Sequence, residues 1–343
     1  MNELTTHIYT SNDQLPEGLL CENFFHSRRL FCLSKQTPRH RPYLVTVEAA
    51  DGTIVAQLLG LVRYRSSLFP PYFYMHCRVL GEGAFRLTDG SEASLYGHQW
   101  ERNEEENNRL TELFNTMLEA LCKRIGRHVL FIEVSHLSQK MFGYRSFRQN
   151  GFFPVKWMSI HNSLHSRSPE ERIGPRLQKH IDNAIEKGVT NVEVRNDDDF
   201  RSFIRLLKRH NWLKPRRYIP ADEFFKGIMG SHDGKLFITK FHEHVIGCSA
   251  LAFTQGQAYI WYMAFRRKSY ASLHPDDVTV WNAIKTAQSL GCEHIYFMDV
   301  GLPFRKNCFR DFILSFGGKP VSTYRWFRCS IGWMNRLLGK VYY

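Results

Sequence analysis

The chain has 343 residues, 43% of them apolar and 14% aromatic, and a formal net charge of +13. This length exceeds what one hydrophobic core usually organises, so we expect two domains. There is no uncharged apolar run long enough for a spanning helix, and the amino terminus lacks the features of a secretory signal.

The eight cysteines contain no Cys-x-x-Cys pair. Without a signal peptide they indicate reduced thiols that mostly fill the core. The His242-Glu243-His244 run is too tightly spaced for a helical zinc pair and predicts a polar hairpin tip. We therefore expect no bound metal.

The positive charge is concentrated in the carboxyl half. Residues 165–343 contain 28 Lys and Arg against 17 Asp and Glu, whereas residues 1–164 are close to neutral. A strongly basic carboxyl half favours an anionic partner: a nucleotide-bearing donor, a tRNA or an acidic membrane surface. A basic surface kept for solubility is the alternative.

The first half alternates strands and helices. Asp51-Gly52 is a hairpin signal between two apolar runs, and a glycine-containing segment, residues 78–83, follows a later strand. An apolar stripe at helical spacing predicts one long helix. The predicted elements are strands at 43–47, 54–62 and 72–75, a helix at 105–125, a strand at 129–134, a short helix ending at Asn150-Gly151, and a strand at 155–160.

A polar, charged linker at 162–173 separates this half from the next, and we place the domain boundary within it, giving domains 1–165 and 166–343. The second half predicts a basic helix near 176–187, a strand at 189–194, a helix from Asp197 and a hairpin of strands 236–241 and 245–253. Residues 211–219 form a basic aromatic loop that can cover a cleft.

The stretch 257–318 organises the second half. Its predicted elements are strand 259–265, a helix from Asp276 to Gly291, strand 295–298 and a helix at 304–316, which is α/β packing. Ligands gather at the carboxyl ends of strands in such sheets. Asp299, Gly301 and the cations that follow Phe265 are therefore expected near one site, although Asp299 can equally cap a turn.

The order of several residues in the second half resembles the Fem family, the peptidoglycan-bridge aminoacyltransferases built from two tandem GNAT-like domains. The resemblance covers roughly residues 170–328 and includes a basic helix ending in Lys187-Gly188. The residues that carry it are Tyr270, Pro275, Trp281, Ile284, Ala287, Gly291, Asp299, Gly301, Phe312 and Phe316-Gly317-Gly318.

The first half is similar to the same fold, because its helix ending in Asn150-Gly151-Phe152 resembles the closing unit of GNAT domains. Arg78, Gly81 and Gly83 fit the R-x-x-G-x-G pattern of the GNAT pyrophosphate loop, or else form a glycine turn after a strand. The resemblance implies a mixed α/β fold of two tandem GNAT-like domains, each with a central splayed mixed sheet flanked by helices.

The resemblance implies an N-acyltransferase that moves an acyl or aminoacyl group to an amine. Such chemistry needs a base for the ammonium and donors for the oxyanion. Asp299 is the candidate base or orienter, and Tyr262 or Tyr270 the candidate acid. Cations that can hold donor or acceptor phosphates are Lys179, Arg266, Arg267, Lys268, Arg305, Lys306 and Arg310.

One departure favours an alternative, a non-catalytic binding or scaffold protein on a degenerate GNAT-like fold. Relatives usually carry a lysine after the phenylalanine of the last helix, where this chain has Ile313. The segment 268–275 also contains no glycine, so we expect the second domain not to bind coenzyme A in the usual GNAT manner.

The expected partners are anionic: acyl-CoA or aminoacyl-tRNA as donor, with no tightly bound cofactor, or a phosphorylated cell-envelope precursor. The tail 326–343 combines aromatics with cations, which suits a membrane interface or a final strand and helix packed on the sheet. The expected location is cytoplasmic, with peripheral contact at the inner face of the membrane as a further possibility. The donor, the acceptor, the oligomeric state and the domain holding the active site stay open.

Overall fold

The computed structural model describes residues 4–68, 71–93, 102–137, 142–212, 214, 217–298, 300–304 and 306–342. Contacts divide the chain into two compact units: unit 1 is Met1–Trp157 with Thr323–Tyr343, and unit 2 is Met158–Ser322. Among the described residues, no helix is long and apolar enough to cross a membrane.

The elements largely follow the predicted periodicities. The strands are β1 (Thr5–Tyr9), β2 (His40–Glu48), β3 (Ile54–Leu68), β4 (Pro71–Leu80), β5 (Ala84–Arg86), β6 (Glu92–Ala93), β7 (Phe131–Ser135), β8 (Phe153–Ser163), β9 (Val189–Glu193), β10 (Gly234–Phe241), β11 (His244–Thr254), β12 (Gln257–Phe265), β13 (His294–Phe297) and β14 (Lys319–Cys329). The α-helices are α1 (Arg28–Gln36), α2 (Glu104–Ile125), α3 (Tyr144–Gln149), α4 (Pro175–Glu186), α5 (Asp197–Asn211), α6 (Asp222–Ile228), α7 (Pro275–Ser289), α8 (Cys308–Leu314) and α9 (Gly332–Tyr342).

Unit 1 contains a mixed sheet in the order β1-β2-β3-β4-β7, next to which residues 325–329 of β14 pair antiparallel with β7. Only β4 and β7 run parallel in this order. Helix α2 buries the predicted apolar stripe, including Leu110, Phe114 and Leu121, in the core of this unit. Asn103 starts that helix by accepting a hydrogen bond from the Glu106 amide.

Unit 2 contains a second mixed sheet, in which residues 160–163 of β8 pair with β13 and the order continues β12-β11-β10-β9. β12 and β13 are its parallel pair. Helix α7 covers the sheet with Val280, Ala283 and Ile284, as its spacing predicts.

The division by contacts differs from the predicted domains 1–165 and 166–343. The last strand and helix pack within unit 1, because Trp326 is buried against Phe147, their ring centroids 4.7 Å apart, and Arg325 pairs with Glu133 at 3.0 Å. The end of β8 instead belongs to unit 2. That each unit corresponds to one GNAT-like domain stays a prediction.

The predicted helix 304–316 begins later, at Cys308. The Asn307 side chain caps it by accepting hydrogen bonds from the amides of Phe309 and Arg310. This cap fixes an extended backbone at residue 307 and excludes the preceding residues from the helix. Helices α1 and α6 lie in segments to which the sequence assigned no element.

Candidate active site

The parallel strands of unit 2 end at different points, because β12 continues past the last residue of β13. The β12–β13 ladder runs from Gln257–His294 to Ile260–Phe297, whereas β12 continues to Phe265. A bulge interrupts the register between β11 and β12 close to Trp261. Bulges bend a strand and re-aim its side chains, so β12 is bent close to its last pair with β13, and we call the space beside residues 261–265 the opening. Such an opening is where open α/β sheets bind ligands.

Aromatic side chains line the region beside the end of β12. The Phe265 ring lies 6.3 Å from that of Phe312 on α8, and Phe312 also contacts Phe309 and Phe316. Phe265, Phe309 and Phe312 stay half-exposed. Ile313, which stands where relatives usually carry lysine, is fully buried in the core. This position therefore does not point its side chain into the opening.

A histidine at the end of α5 contacts the end of β12. His210 Nδ1 lies 3.0 Å from the Phe265 carbonyl oxygen, and its Nε2 lies 2.7 Å from Lys214 Nζ. Burial lowers the pKa of His210, and the nearby charges of Lys214 and Arg217 lower it further. The contacts assign the proton to Nδ1, which donates to Phe265, while Nε2 accepts from the Lys214 ammonium.

This arrangement places the positive charges of Lys214 and Arg217 just after the end of α5. The pKa of Lys214 is itself lowered, first by desolvation and then by the charge of Arg217. The sequence analysis placed a basic aromatic loop here but named neither His210 nor Lys214 as site residues. Lys214 lies beyond the end of α5 at Asn211, so helical spacing does not account for the contact and no pattern in the sequence marked it.

The loop after β12 carries three of the predicted cations, and two of them have partners. The Arg266 guanidinium lies 5.3 Å from the centre of the Tyr270 ring, and Arg267 Nε lies 3.1 Å from Asp276 Oδ2. Lys268 is exposed. Tyr270 is half-buried beside Arg266, whereas Tyr262 is 5% exposed.

Tyr262 packs among the rings of Phe224, Phe225 and Trp261. The structure therefore brings Tyr270, Arg266 and the end of β12 together and places Tyr262 in the core. A buried phenol of this kind cannot donate a proton to a substrate without movement of α6.

The start of α7 holds a further polar cluster that the sequence analysis did not assign to the site. His180 Nδ1 lies 2.9 Å and His274 Nδ1 3.6 Å from Asp277 Oδ2. Burial raises the pKa of Asp277 and lowers that of His274, which the neighbouring His180 lowers further. The cluster joins the basic helix α4 to the loop after β12.

These three side chains can offer one ligand atom each to a metal ion, all within 4.8 Å of one another. The two imidazoles, however, stack face to face, 3.7 Å apart and 6° from parallel. An ion shared by both rings would lie outside both ring planes, whereas the nitrogen lone pair that binds a metal lies in the plane. The geometry fits a hydrogen-bonded histidine–aspartate pair better than a metal site.

The remaining predicted residues of unit 2 belong to α4 or follow β13 in the sequence. Arg310 Nη1 donates to the carbonyls of Leu302 and Pro303, at 2.9 and 3.2 Å, and so braces the loop after β13. Gly301, in this loop, has a φ of 92°. Lys306, after β13, and Lys179, beside His180 on α4, are exposed. Asp299 and Arg305 lie outside the described residues.

In unit 1 the glycine loop after β4 does not have the geometry of a phosphate cradle. Gly81 donates its amide to the Ser135 carbonyl at 2.8 Å, and the Gly83 amide lies 3.0 Å from His26 Nε2. The loop leads into β5 rather than a helix, and its Glu82 is buried with a pKa raised by that burial to about 7. Its amides are therefore not available to an anion.

Arg78 is likewise engaged elsewhere. It is partly buried, with Nε 3.6 Å from Glu133 Oε1, and Glu133 also pairs with His76 and Arg325. The β4–β7 pairing in this unit runs to Leu80–Ser135, the carboxyl ends of both strands, so these strands end together, unlike β12 and β13. The predicted coenzyme A site at Arg78, Gly81 and Gly83 is not supported by this arrangement.

Residues 176–306 match the family model described as an acetyltransferase (GNAT) domain, so unit 2 carries such a domain. The match spans α4 to the loop after β13 and includes the opening. The predicted class of enzyme, an N-acyltransferase with a Fem-like GNAT fold, is confirmed. No curated protein sequence matches the chain.

Solved structures share the fold at low sequence identity. FemX has a TM-score of 0.62 at 11% identity, covering 98% of this chain and 100% of that one. The carboxyl-terminal domain of a putative lysylphosphatidylglycerol synthetase from Agrobacterium fabrum has a TM-score of 0.55 at 12% identity, covering 91% and 92%. A tandem GNAT protein from the clavulanic acid biosynthesis pathway has a TM-score of 0.50 at 10% identity, covering 96% and 99%.

Proposed function

We propose that unit 2 transfers an acyl or aminoacyl group from an activated donor to an amine at the carboxyl end of β12. The observation that carries this proposal is the extension of β12 to Phe265, beyond its last pair with β13 at Ile260–Phe297. Within the described residues, β12 has no ladder partner on β13 past this point, so an extended donor can pair with the free edge.

The chemistry requires a base for the attacking ammonium and a donor for the leaving group. Asp299 follows Met298 directly at the end of β13, and we assign it the role of base or orienter of the amine. Tyr270 is the proposed acid, because its ring lies beside Arg266 at the entrance to α7.

The donor phosphates are held by side-chain cations in this proposal. Asp276 and Asp277 occupy the first turn of α7 and are 5% and 7% exposed. Their carboxylates already complement the positive end of the helix dipole and would repel a pyrophosphate there. Three cations remain as candidates. Lys214 contacts His210 beside the end of β12, Arg217 lies near Lys214, and Lys268 is in the loop that follows β12. This supports aminoacyl-tRNA, or an acyl-CoA bound in an unusual manner, as donor.

The acceptor is proposed to be the amine of a phosphorylated cell-envelope precursor, since Lys179, Lys306 and the net positive charge favour an anionic acceptor. The proposed place of action is the cytoplasm, and the donor and acceptor are the only small molecules required.

The proposal is tested by measuring acyl or aminoacyl transfer directly. Purified protein is assayed with acetyl-CoA, longer acyl-CoAs and aminoacyl-tRNA, with thermal shift as a parallel measure of donor binding. We expect Asp299→Asn to reduce turnover at least a hundredfold while leaving the melting temperature nearly unchanged. Retained turnover in this variant removes Asp299 from the mechanism.

A binding protein without catalysis is the second candidate, favoured by the burial of Ile313 and by the engaged glycine loop of unit 1. In that case no donor stabilises the protein, and an acidic polymer or lipid binds instead. Turnover with any of the donors contradicts this candidate.

A further inference from the structure

The last helix of the chain, α9, has two different faces. One face is fixed to unit 1: Asn335 Oδ1 accepts from the Cys329 amide at 2.7 Å, and its Nδ2 donates to the Gly151 carbonyl at 2.9 Å. The Tyr342 ring stacks on Phe153, at 6.3 Å between centroids. The helix is therefore held at both ends.

The other face exposes large apolar side chains. Trp333, Leu337 and Val341 are spaced by four residues and are 64%, 53% and 67% exposed. A spacing of four aligns them in one row along the helix. Scattered exposed apolar residues need no explanation, but an ordered row on a helix that is already anchored presents a continuous apolar surface.

The row is flanked by positive charge. Arg336 and Lys340 are exposed and occupy the positions directly before Leu337 and Val341. After Asp311 the sequence contains no further aspartate or glutamate. The row contains a tryptophan, and the charged residues beside it on α9 are cations. It therefore complements a surface with an anionic outer layer over an apolar interior.

The packing of α9 against unit 1 also leaves the apolar row exposed. A chain of ring contacts runs through Tyr74, Phe131, Phe327 and Phe153 to Tyr342, so α9 rests on the sheet of unit 1 through aromatic packing. The exposed row lies on the side that this packing leaves uncovered. A rigidly held helix binds a flat surface without the entropic cost of ordering a disordered segment.

We propose that the face of α9 formed by Trp333, Leu337 and Val341, together with Arg336 and Lys340, binds the surface of an anionic phospholipid bilayer. In this arrangement the apolar side chains enter the interface and the two cations contact lipid phosphates. The helix lies on the membrane and does not cross it. This inference is independent of the proposed acyl transfer, because none of the five residues belongs to the opening in unit 2.

The experiment is co-sedimentation of the full chain with vesicles. One set contains phosphatidylcholine alone, and the other contains phosphatidylcholine with about 30% phosphatidylglycerol as the anionic lipid. We expect binding to the anionic vesicles that weakens as salt is raised. The double variant Arg336→Gln/Lys340→Gln should bind roughly thirtyfold more weakly, at about a factor of five for each cation.

Leu337→Gln/Val341→Gln should weaken binding to the same vesicles by at least about tenfold through lost apolar contact. The matched control is Leu290→Gln, since Leu290 is an exposed leucine of unit 2, with 50% exposure. It should bind like the original chain. Melting temperatures and transfer to a water-soluble acceptor should be unchanged in all variants, which separates this test from the test of catalysis.

Three outcomes overturn the proposal. The first is no vesicle binding by the original chain even at low salt. The second is equal binding by both double variants and the original chain. The third is a self-associated protein that becomes monomeric in Leu337→Gln/Val341→Gln and binds no vesicles, because the face would then be covered by a second copy.

Discussion

His180 lies on α4 and His274 directly precedes α7, yet their imidazoles stack 3.7 Å apart with both Nδ1 atoms directed at Asp277. The pair joins α4 to the loop that follows β12. Burial and the neighbouring His180 lower the pKa of His274, although Asp277 offsets part of this effect.

We predict that this junction loosens in acid. The pKa of His274 in the folded protein is lowered, so its contribution to stability is present above the unfolded value of about 6.5 and is lost as the pH falls below it. Hydrogen exchange in residues 266–274, corrected for intrinsic rates, should be faster at pH 5.5 than at pH 7.5. Exchange in β10 serves as the control, and equal protection of 266–274 at both pH values would contradict the prediction.

A second prediction concerns Lys214, the cation that follows α5. Lys214→Met removes the ammonium that contacts His210. We expect donor affinity to fall about tenfold at low salt and the salt dependence of binding to become shallower, as for the loss of a phosphate contact. Lys226→Met, an exposed lysine of α6 that pairs with Asp197 at 3.5 Å, is the matched control. Calorimetry at two salt concentrations measures both effects; unchanged affinity would remove Lys214 from the donor site.

A third prediction concerns the buried charges of unit 1. Burial by itself would raise the pKa of Glu133, but Arg78, Arg325 and His76 hold it well below its usual value. Glu133→Gln removes the buried negative charge that Arg78 and Arg325 contact. We expect a loss of about 3–5 kcal/mol in the free energy of unfolding.

Urea unfolding measures this loss, with Glu193→Gln as the control. Glu193 also contacts two cations, Lys235 and Arg195, each at 2.8 Å, but Arg195 is largely exposed, so we expect less than about 1 kcal/mol. Equal losses in the two variants would show that burial of the Glu133 cluster does not determine its contribution.

The fourth prediction uses a buried histidine of β8. Burial, and to a smaller extent the nearby His294, lower the pKa of His161 to about 4; its Nδ1 has no hydrogen-bond partner among the described residues. Because the unfolded chain takes up the proton first, stability should fall as the pH drops below about 6.5. For this group alone the loss at pH 5 is about 2 kcal/mol.

His161→Phe removes the titrating group and retains a ring between Tyr296 and His294. We expect the variant to be at least as stable as the original chain at pH 7.5 and to lose less of its free energy of unfolding at pH 5. An unchanged pH dependence in urea unfolding would show that other groups cause the acid sensitivity.

Local periodicity predicted most elements of this fold. Helix α2 and the β12–α7–β13 series were predicted within a few residues, because each has a continuous apolar pattern with a hairpin, cap or glycine signal at its ends. The start of α8 was misplaced, since nothing in the apolar pattern marks Asn307 as its cap.

The candidate site was predicted only in part. The cations after β12 and Tyr270 were named as candidates because they follow a strong strand directly, and their roles stay predictions. His210 was not, because its contact with Phe265 joins positions 55 residues apart. The glycine loop of unit 1 matched a motif in sequence, yet its amides are satisfied by Ser135 and His26.

The sequence by itself determined the class of fold, the order of its strands and helices along the chain, and the basic character of the carboxyl half, because these depend on neighbouring residues and on summed charge. Only the tertiary structure decided that the last strand packs beside β7 in unit 1, that the pairing of β12 with β13 ends at Ile260, and that His180 meets His274. Each of these depends on pairing between distant segments, which is selected by the total burial and hydrogen bonding of the folded chain rather than by any local pattern.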